Sequence, residues 1–265
     1  MPVITNQGVE VFFEEAGAGL PVVLGHSFLC SGEMWRHQVP ALSPGFRVIN
    51  IDLRGHGRSG RVTTPFTLYD AAGDVLAVLD HLGIERAVWC GLSIGGMVAL
   101  RAALTHPGRV AALLLLDTDA GPETAFHKIK YRTMGAGARA LGLGPFLPAI
   151  ARLMFGRTTR RENPVLVGEW KERFAGQHVP SLLHCLGALM RRDSLLTRLE
   201  GIGAPALVLA GEEDRSLPPP LSRRMHDRLP RSRLRIIPAA GHLSALERPG
   251  PVNEALLGFL SAEVS

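Results

Sequence analysis

One serine of the chain lies between two glycines, in the segment GLSIG at residues 91–95. A short apolar run, Val88 to Cys90, precedes this segment, and a helical pattern from Ile94 to Thr105 follows it. The order of strand, glycine-rich turn and helix is typical of a sharp turn that lifts Ser93 above the end of its strand. The pattern alone is weak, because a turn around a structural serine would look the same. The chemistry that it indicates is nucleophilic attack by a serine hydroxyl.

A serine hydroxyl needs a base near neutral pH, and His242 is the best placed of the ten histidines. It follows the last apolar run, so we expect it at the same sheet edge as Ser93. Asp214, directly after another apolar run, is the predicted acid that orients the imidazole. The order serine, aspartate, histidine along the chain agrees with this assignment. The alternative acids are Glu212, Glu213 and Asp117.

Acyl transfer also needs N–H groups that stabilise the negative charge on the carbonyl oxygen. We predict that the backbone N–H of Ile94, the residue after the serine, is one donor. The second is assigned by position to the backbone N–H of Phe28, in the loop after an early apolar run. Ser27 beside it either donates a further hydrogen bond or replaces a glycine without a role, and the second interpretation is favoured. This set of groups requires no metal ion and no organic cofactor.

Short apolar runs and helical patterns alternate along the chain and would have to position these residues. Six runs are apolar on both faces, as in parallel strands covered by helices: residues 21–24, 46–51, 88–90, 110–116, 206–210 and 234–237. Val9 to Phe13 alternates enough to be an edge strand. Helical patterns are found at residues 68–82, 94–105, 218–229 and 251–260. The alternation predicts an α/β fold with a doubly wound, mostly parallel sheet.

The middle of the chain departs from this rhythm. From Gly121 to about Glu200 there are helical stretches and no convincing strand. We expect a helical cap at residues 121–200, inserted between two parts of the core at residues 1–120 and 201–265. Residues 122–200 hold 13 Lys and Arg against 6 Asp and Glu, whereas the net charge of the whole chain is only +5. A solvated basic face is the favoured explanation, and steering of an anionic substrate is the alternative.

The composition limits the class of protein. The 265 residues, 46% of them apolar, are enough for one large domain without disulfides or metal. The three cysteines are far apart, the first residues lack a signal-peptide pattern, and no apolar run approaches the ~20 residues of a membrane span. We expect a cytoplasmic protein with no membrane or nucleic-acid partner, either a monomer or a homodimer. The basic clusters lack the aromatic stacking motifs of a nucleic-acid binder.

Five stretches in this order make the chain similar to the α/β-hydrolase superfamily over nearly its whole length. They are residues 25–28, 52–59, 91–96, 211–214 and 241–244. The resemblance implies a core of eight mostly parallel strands with a helical cap after the sixth.

Within that superfamily the chain is similar to the 3-oxoadipate enol-lactonase group and to the small esterases near it. The shared features are Ser27, Trp35, and the segments at residues 90–93 and 242–249. His26 and Phe28 depart from the Asn-Ser-Leu that the lactonases tend to have in this loop. The cap also lacks a clear match to their substrate-binding pattern.

These observations together predict a serine hydrolase, a carboxylic ester hydrolase that cleaves a small-molecule ester or lactone through an acyl-enzyme on Ser93. Serine in this turn argues against haloalkane dehalogenase and epoxide hydrolase chemistry, which resemble this fold but use aspartate there. The alternatives on the same three residues are a C–C bond hydrolase, a cofactor-free perhydrolase and a ligand-binding signalling protein. A nucleic-acid binder that uses the basic region is the weakest alternative.

Overall fold

An eight-stranded sheet forms the centre of the computed structural model, which describes residues 2–264. The strands are β1 (Val3–Asn6), β2 (Val9–Ala16), β3 (Leu20–Gly25), β4 (Phe46–Ile51), β5 (Ala87–Leu92), β6 (Val110–Leu116), β7 (Ala206–Gly211) and β8 (Ser232–Ile237). Their order across the sheet is β1-β2-β4-β3-β5-β6-β7-β8. β2 pairs antiparallel with β1 and β4, and the other neighbouring strands are parallel. The predicted fold class, an α/β doubly wound and mostly parallel sheet, is confirmed.

Helices cover both faces of this sheet. The α-helices of the described chain are α1 (Val39–Leu42), α2 (Leu68–His81), α3 (Ile94–Thr105), α4 (Ala125–Leu141), α5 (Leu147–Met154), α6 (Arg157–Glu162), α7 (Pro164–Ala175), α8 (Val179–Met190), α9 (Pro219–His226), α10 (Ser244–Glu247) and α11 (Pro249–Glu263). Short 3-10 helices lie at Gly32–Trp35, Pro107–Arg109, Gly144–Phe146 and Leu196–Gly201. The helices expected from the sequence are present, with ends displaced by at most three residues.

The two-sided burial of the central strands explains their apolar sequences. In β6, Leu113 and Leu115 belong to the core cluster that includes α2 and α3. Leu114 and Leu116 belong to the cluster on the other face, with α11 and part of the helical region after β6. Successive side chains of a strand point to opposite faces, so a strand between two helical layers is apolar at every position. The three cysteines are unpaired and buried.

The edge of the sheet differs from the prediction in one respect. The segment expected to be an edge strand is the inner strand β2, because β1 (Val3–Asn6) pairs outside it. β1 has only four residues, none of them fully buried, so its sequence carries no apolar pattern long enough to be recognised. The side-chain amide of Asn6 donates to Asp74 in α2 at 2.8 Å, which ties this strand to the helix below it.

Helices α4 to α8 lie along the chain between β6 and β7, where the described residues form no strand. Two hydrogen bonds connect this region to the loops of the sheet. The backbone N–H of Leu243 donates to the carbonyl oxygen of Met154 at 3.1 Å, and the backbone N–H of Val62 donates to the hydroxyl of Ser181 at 3.0 Å. α4 is the least buried of these long helices, with only Gly135 and Ala138 buried. Across residues 2–264, no helix combines the length and apolar character needed to cross a membrane.

Candidate active site

Ser93 occupies a tight turn between the end of β5 and the start of α3. Its backbone has φ +54° and ψ −114°, a region that side chains other than glycine rarely adopt. The flanking glycines permit the turn, because a Cβ on Gly91 would lie 2.2 Å from the carbonyl carbon of Gly95. A Cβ on Gly95 would lie 2.1 Å from the carbonyl oxygen of Gly25. The backbone N–H of Ser93 donates to Leu116 at 2.9 Å, which fixes the turn against β6.

His242 and Asp214 meet in loops that follow the last two strands. Nδ1 of His242 is 2.8 Å from Oδ2 of Asp214. The other oxygen of Asp214 accepts the backbone N–H groups of Ser216 at 2.8 Å and Leu217 at 3.0 Å. Both side chains are almost completely buried. The carboxylate is therefore held in one orientation, and it fixes the plane of the imidazole.

The contact with Asp214 also affects the pKa of His242 and fixes its tautomer. Burial by itself would lower the pKa of the imidazole, but the charge and hydrogen bond of Asp214 outweigh it and raise the pKa above its ordinary value, with smaller contributions from Asp117 and Glu247. Nδ1 donates its proton to the carboxylate, so Nε2 is the nitrogen that remains for a proton transfer. His242 and Ser93 line the same cavity.

The structure places the alternative carboxylates elsewhere. Asp117 lies at the end of β6, where it accepts from the backbone N–H of Gly211 at 2.7 Å and from the hydroxyl of Ser244. Burial, and then the nearby charge of Asp214, raise the pKa of Asp117 well above the usual range. Glu212 accepts the backbone N–H of Ala239 at 3.1 Å. Asp214 is thus the carboxylate that bonds to His242.

Glu213, the third alternative, points to the helical region. Its carboxylate accepts the backbone N–H of Thr158 at 2.8 Å and the hydroxyl of the same residue at 2.7 Å. Arg157 donates to it at 3.0 Å. This carboxylate therefore anchors the start of α6 to the loop after β7.

His26 and His56 lie close to the candidate site but are positioned as structural groups. Nε2 of His26 accepts the backbone N–H of Leu53 at 2.8 Å, and Nδ1 lies 2.7 Å from the carbonyl oxygen of Ser27. Burial lowers the pKa of His26 to about 4 and the pKa of His56 to about 3. Both imidazoles are therefore neutral near pH 7. The His56 ring packs edge-on against Phe28 and supports the loop that carries it.

The two backbone N–H groups predicted to stabilise the oxyanion lie beside Ser93 and in the loop after β3. Ile94 is the first residue of α3, so its N–H has no acceptor within the helix. In residues 2–264 the N–H of Phe28 donates no hydrogen bond, and Phe28 lines the same cavity as Ser93. The hydroxyl of Ser27 is buried, has no partner in the described chain, and also borders the cavity.

Glu247 joins the histidine loop to the helical region. Oε1 of Glu247 accepts the backbone N–H groups of Gly241 at 3.0 Å and Leu243 at 3.2 Å, the residues on either side of His242. Oε2 accepts the N–H of Gly156, between α5 and α6, at 2.9 Å. Glu247 is only 5% exposed. Its role could not be found from the sequence, because the three donors come from two separate parts of the chain.

A cavity over Ser93 lies between the sheet edge and the helices that follow β6. Counted out to its open mouth, the space is about 1050 Å³. Its wall is mainly apolar, and six of the large apolar side chains in it are Phe28, Met134, Phe146, Leu153, Leu182 and Leu186. Concave, mainly apolar sites with a few polar groups are typical of small-molecule binding.

A second group of polar side chains borders this cavity and was not foreseen from the sequence. Arg192 and Glu123 form an ion pair at 2.8 Å, with side chains 4% and 10% exposed. Tyr131 of α4 lies in the same wall. The packing of α4 against α8 brings these residues together, and no local motif records it.

Comparisons with known proteins agree with the fold. The family described as alpha/beta hydrolase fold matches residues 21–249. The chain is 32% identical to "Putative non-heme bromoperoxidase BpoC" of Mycobacterium tuberculosis, over 96% of this chain and 98% of the relative.

Solved structures give the same result. A thermophilic esterase from Thermogutta terrifontis superposes with a TM-score of 0.93 at 31% identity, covering 99% of this chain and 97% of its own. An enol-lactonase from Burkholderia xenovorans superposes with a TM-score of 0.92 at 28% identity, covering 98% of this chain and 100% of its own. The similarity to enol-lactonases and small esterases predicted from the motifs is confirmed. The chain belongs to the α/β-hydrolase fold family.

Proposed function

We propose that the protein is a serine hydrolase that cleaves a carboxylic ester or a lactone. The observation that carries the proposal is the pairing of His242 with Asp214 at 2.8 Å at the cavity that Ser93 borders. A serine in a strained turn, a histidine of fixed tautomer and a buried carboxylate are the three groups that acyl transfer requires. In this proposal the three residues are the catalytic residues.

The reaction has two steps. Ser93 Oγ attacks the carbonyl carbon while Nε2 of His242 takes the hydroxyl proton, and the N–H groups of Phe28 and Ile94 stabilise the oxyanion. The bond from carbon to the alkoxy oxygen then breaks, and His242 returns the proton to the leaving oxygen. A water molecule then attacks the acyl carbon with His242 as base, the bond from that carbon to Ser93 Oγ breaks, and His242 returns the proton to Oγ, so the products are an acid and an alcohol. In a lactone, both products stay in one molecule.

The wall of the cavity supports an apolar substrate. Each methylene group that moves from water into such a wall contributes about 0.8 kcal/mol. The helices that supply most of that wall follow β6, which supports the proposed division into a core at residues 1–120 and 201–265 and a cap at residues 121–200. A small-molecule substrate with a medium-length apolar chain fits this arrangement.

The relatives support two candidate reactions. The esterase and the enol-lactonase favour ester or lactone hydrolysis. The relative named as a non-heme bromoperoxidase favours a second candidate, perhydrolysis on the same three residues. There hydrogen peroxide replaces water in the second step and releases a peracid. A comparison of acid and peracid formation from one ester in the presence of peroxide separates the two.

The decisive variant is Ser93→Ala, assayed with p-nitrophenyl hexanoate. We expect a loss of about 10³-fold or more in kcat, because the acyl-enzyme has no other nucleophile. Ser194→Ala makes the same chemical change on an exposed loop. This variant is the matched control, and we expect its activity to be unchanged. Full activity of a correctly folded Ser93→Ala protein would contradict the proposal.

A further inference from the structure

The cavity wall next to α4 contains a polar site within apolar surroundings. It consists of Tyr131 on α4, Glu123 just before that helix, and Arg192 just after α8. Burying an ion pair is costly, and an apolar pair of similar size would serve packing equally well. A buried ion pair in the wall of a ligand cavity therefore points to recognition.

Several contacts fix the position of the Arg192 guanidinium. Nε donates to the carbonyl of Gly121 at 2.9 Å, and Nη1 donates to Glu123 at 2.8 Å and to the carbonyl of Leu189 at 3.0 Å. Burial by itself would raise the pKa of Glu123, but its hydrogen bonds and the charge of Arg192 lower it below the usual range. Glu123 therefore stays ionised and neutralises the arginine.

Two donors remain in this group. Within residues 2–264, neither the hydroxyl of Tyr131 nor Nη2 of Arg192 makes a hydrogen bond to the protein. Burial is the main cause that raises the pKa of Tyr131, and the carboxylates of Glu123 and Asp214 add to the rise. The phenol therefore keeps its proton and can donate it to an acceptor in the cavity.

We propose that Tyr131 and Arg192 bind a second, neutral carbonyl group of the substrate, such as an amide, close to the ester or lactone that Ser93 attacks. This inference rests on the proposed function and adds the class of substrate. The apolar wall takes the chain, and the two donors take the carbonyl oxygen. A substrate without that oxygen leaves both donors without a partner, which is the basis of strong discrimination.

The same charges argue against a free carboxylate at this position. The one arginine among the cavity-lining side chains is already paired with Glu123, and the charge of Asp214 also acts on Tyr131. A carboxylate beside Tyr131 would meet two negative groups and one neutralised cation. The other lysines and arginines of the helical region do not line this cavity, so the proposal favours a neutral group over an anionic one.

Three probes and two variants test the proposal. The first lactone is a γ-butyrolactone with an N-hexanoylamino group next to the carbonyl, and the second has an alkyl chain of the same length without the amide. The third probe is p-nitrophenyl hexanoate, which reports on the catalytic residues alone. The variants are Tyr131→Phe and, as matched control, Tyr69→Phe. Tyr69 is the only other tyrosine, and its hydroxyl is bonded to Asp193 at 2.7 Å on the surface.

We expect the wild-type protein to prefer the amide lactone by at least about tenfold in kcat/KM. Tyr131→Phe should lower kcat/KM for the amide lactone about three- to tenfold, mainly through KM, and change the other two probes less than about twofold. Tyr69→Phe should change none of them.

The outcomes separate this inference from the proposed function. If the wild-type protein hydrolyses none of the three probes, the proposed function is wrong and the inference falls with it. If it hydrolyses the nitrophenyl ester but shows no preference for the amide, or if Tyr131→Phe affects all three probes alike, the polar site is overturned while the serine hydrolase stands. Preference for a lactone that carries a carboxylate in place of the amide would also overturn it.

Discussion

The sheet edge and α4, the first helix after β6, hold their side chains in opposite ways. At the sheet edge the carboxylates of Asp117 and Asp214 and the imidazole of His242 are buried and hydrogen-bonded to neighbouring loops. In α4, by contrast, only two residues are buried, and Phe126 and Ile129 are 73% and 65% exposed. The sheet edge is fixed by polar contacts, whereas α4 presents apolar side chains to the cavity and to solvent.

This contrast indicates that the two regions have different roles. Fixed polar groups are needed where charge develops during a reaction, because reorganisation at that moment would raise the barrier. Apolar walls tolerate exchange of one side chain for another, provided that the volume is kept. We therefore expect changes at the sheet edge to affect every substrate equally, and changes in the helical region to alter the choice among substrates.

The largest effect is expected for Asp214→Asn. The amide cannot hold His242 in the required tautomer, so kcat should fall about 10³- to 10⁴-fold for esters of every chain length. Glu212→Gln, a similar change two residues away on an exposed carboxylate, should leave kcat unchanged. If Asp117→Asn abolished activity while Asp214→Asn did not, Asp117 would be the acid.

A smaller effect is expected for Glu247→Gln, which weakens the link between the two regions. The amide nitrogen faces one of three N–H donors, so folding should lose about 1–3 kcal/mol and kcat about tenfold. The reaction needs neutral His242, so the wild-type acid limb should lie above the ordinary pKa of 6.5. The charge of Glu247 stabilises the protonated imidazole, and its loss should therefore move the acid limb to lower pH.

Thermal unfolding and the pH profile of kcat/KM test this prediction. Glu254→Gln, on the exposed face of α11, is the matched control and should change neither quantity. A Glu247→Gln protein that lost stability but kept its acid limb would mean that Glu247 fastens the helices without acting on His242.

The smallest effect is expected in the cavity wall, for Leu153→Ala. Removing part of this side chain should favour longer acyl chains, by about fourfold in relative kcat/KM for each methylene group accommodated. A series of p-nitrophenyl esters measures the shift. Leu141→Ala, at a residue 69% exposed on α4, serves as control. A uniform fall in kcat/KM for all chain lengths would contradict the different roles expected for the two regions.

The central strands β3 to β7 could be predicted from the sequence because they are largely buried on both faces and their apolar runs end at glycine or aspartate. Ser93, Asp214 and His242 lie within five residues of the ends of their strands, so their positions at one edge could be inferred, while their catalytic roles stay predictions. The identity of the acid among Asp117, Glu212, Glu213 and Asp214 is harder to predict. It depends on which loop each carboxylate reaches, and spacing along the chain does not determine that.

The polar groups in the cavity wall could not be predicted. Glu123, Tyr131 and Arg192 lie in segments whose only local signal is a helical pattern. Their meeting depends on how α4 packs against α8, for instance through Gly135, whose position brings Leu183 close. Such contacts between helices depend on how the side chains of the whole helical region pack together. The charge of residues 122–200 favours a solvated basic face, with steering of an anionic substrate as the alternative, and the arginine that lines the cavity is paired with Glu123.

The strained backbone of Ser93 bears on how this chain has been selected. A residue other than glycine at φ +54° costs about 1–3 kcal/mol of stability. Mutations that relieve such a cost are easy to reach, and stability alone would favour glycine at this position. A lineage with no further use for the hydroxyl would therefore be expected to lose it. The proposed nucleophilic role of Ser93 would account for a serine at a position where stability alone favours glycine.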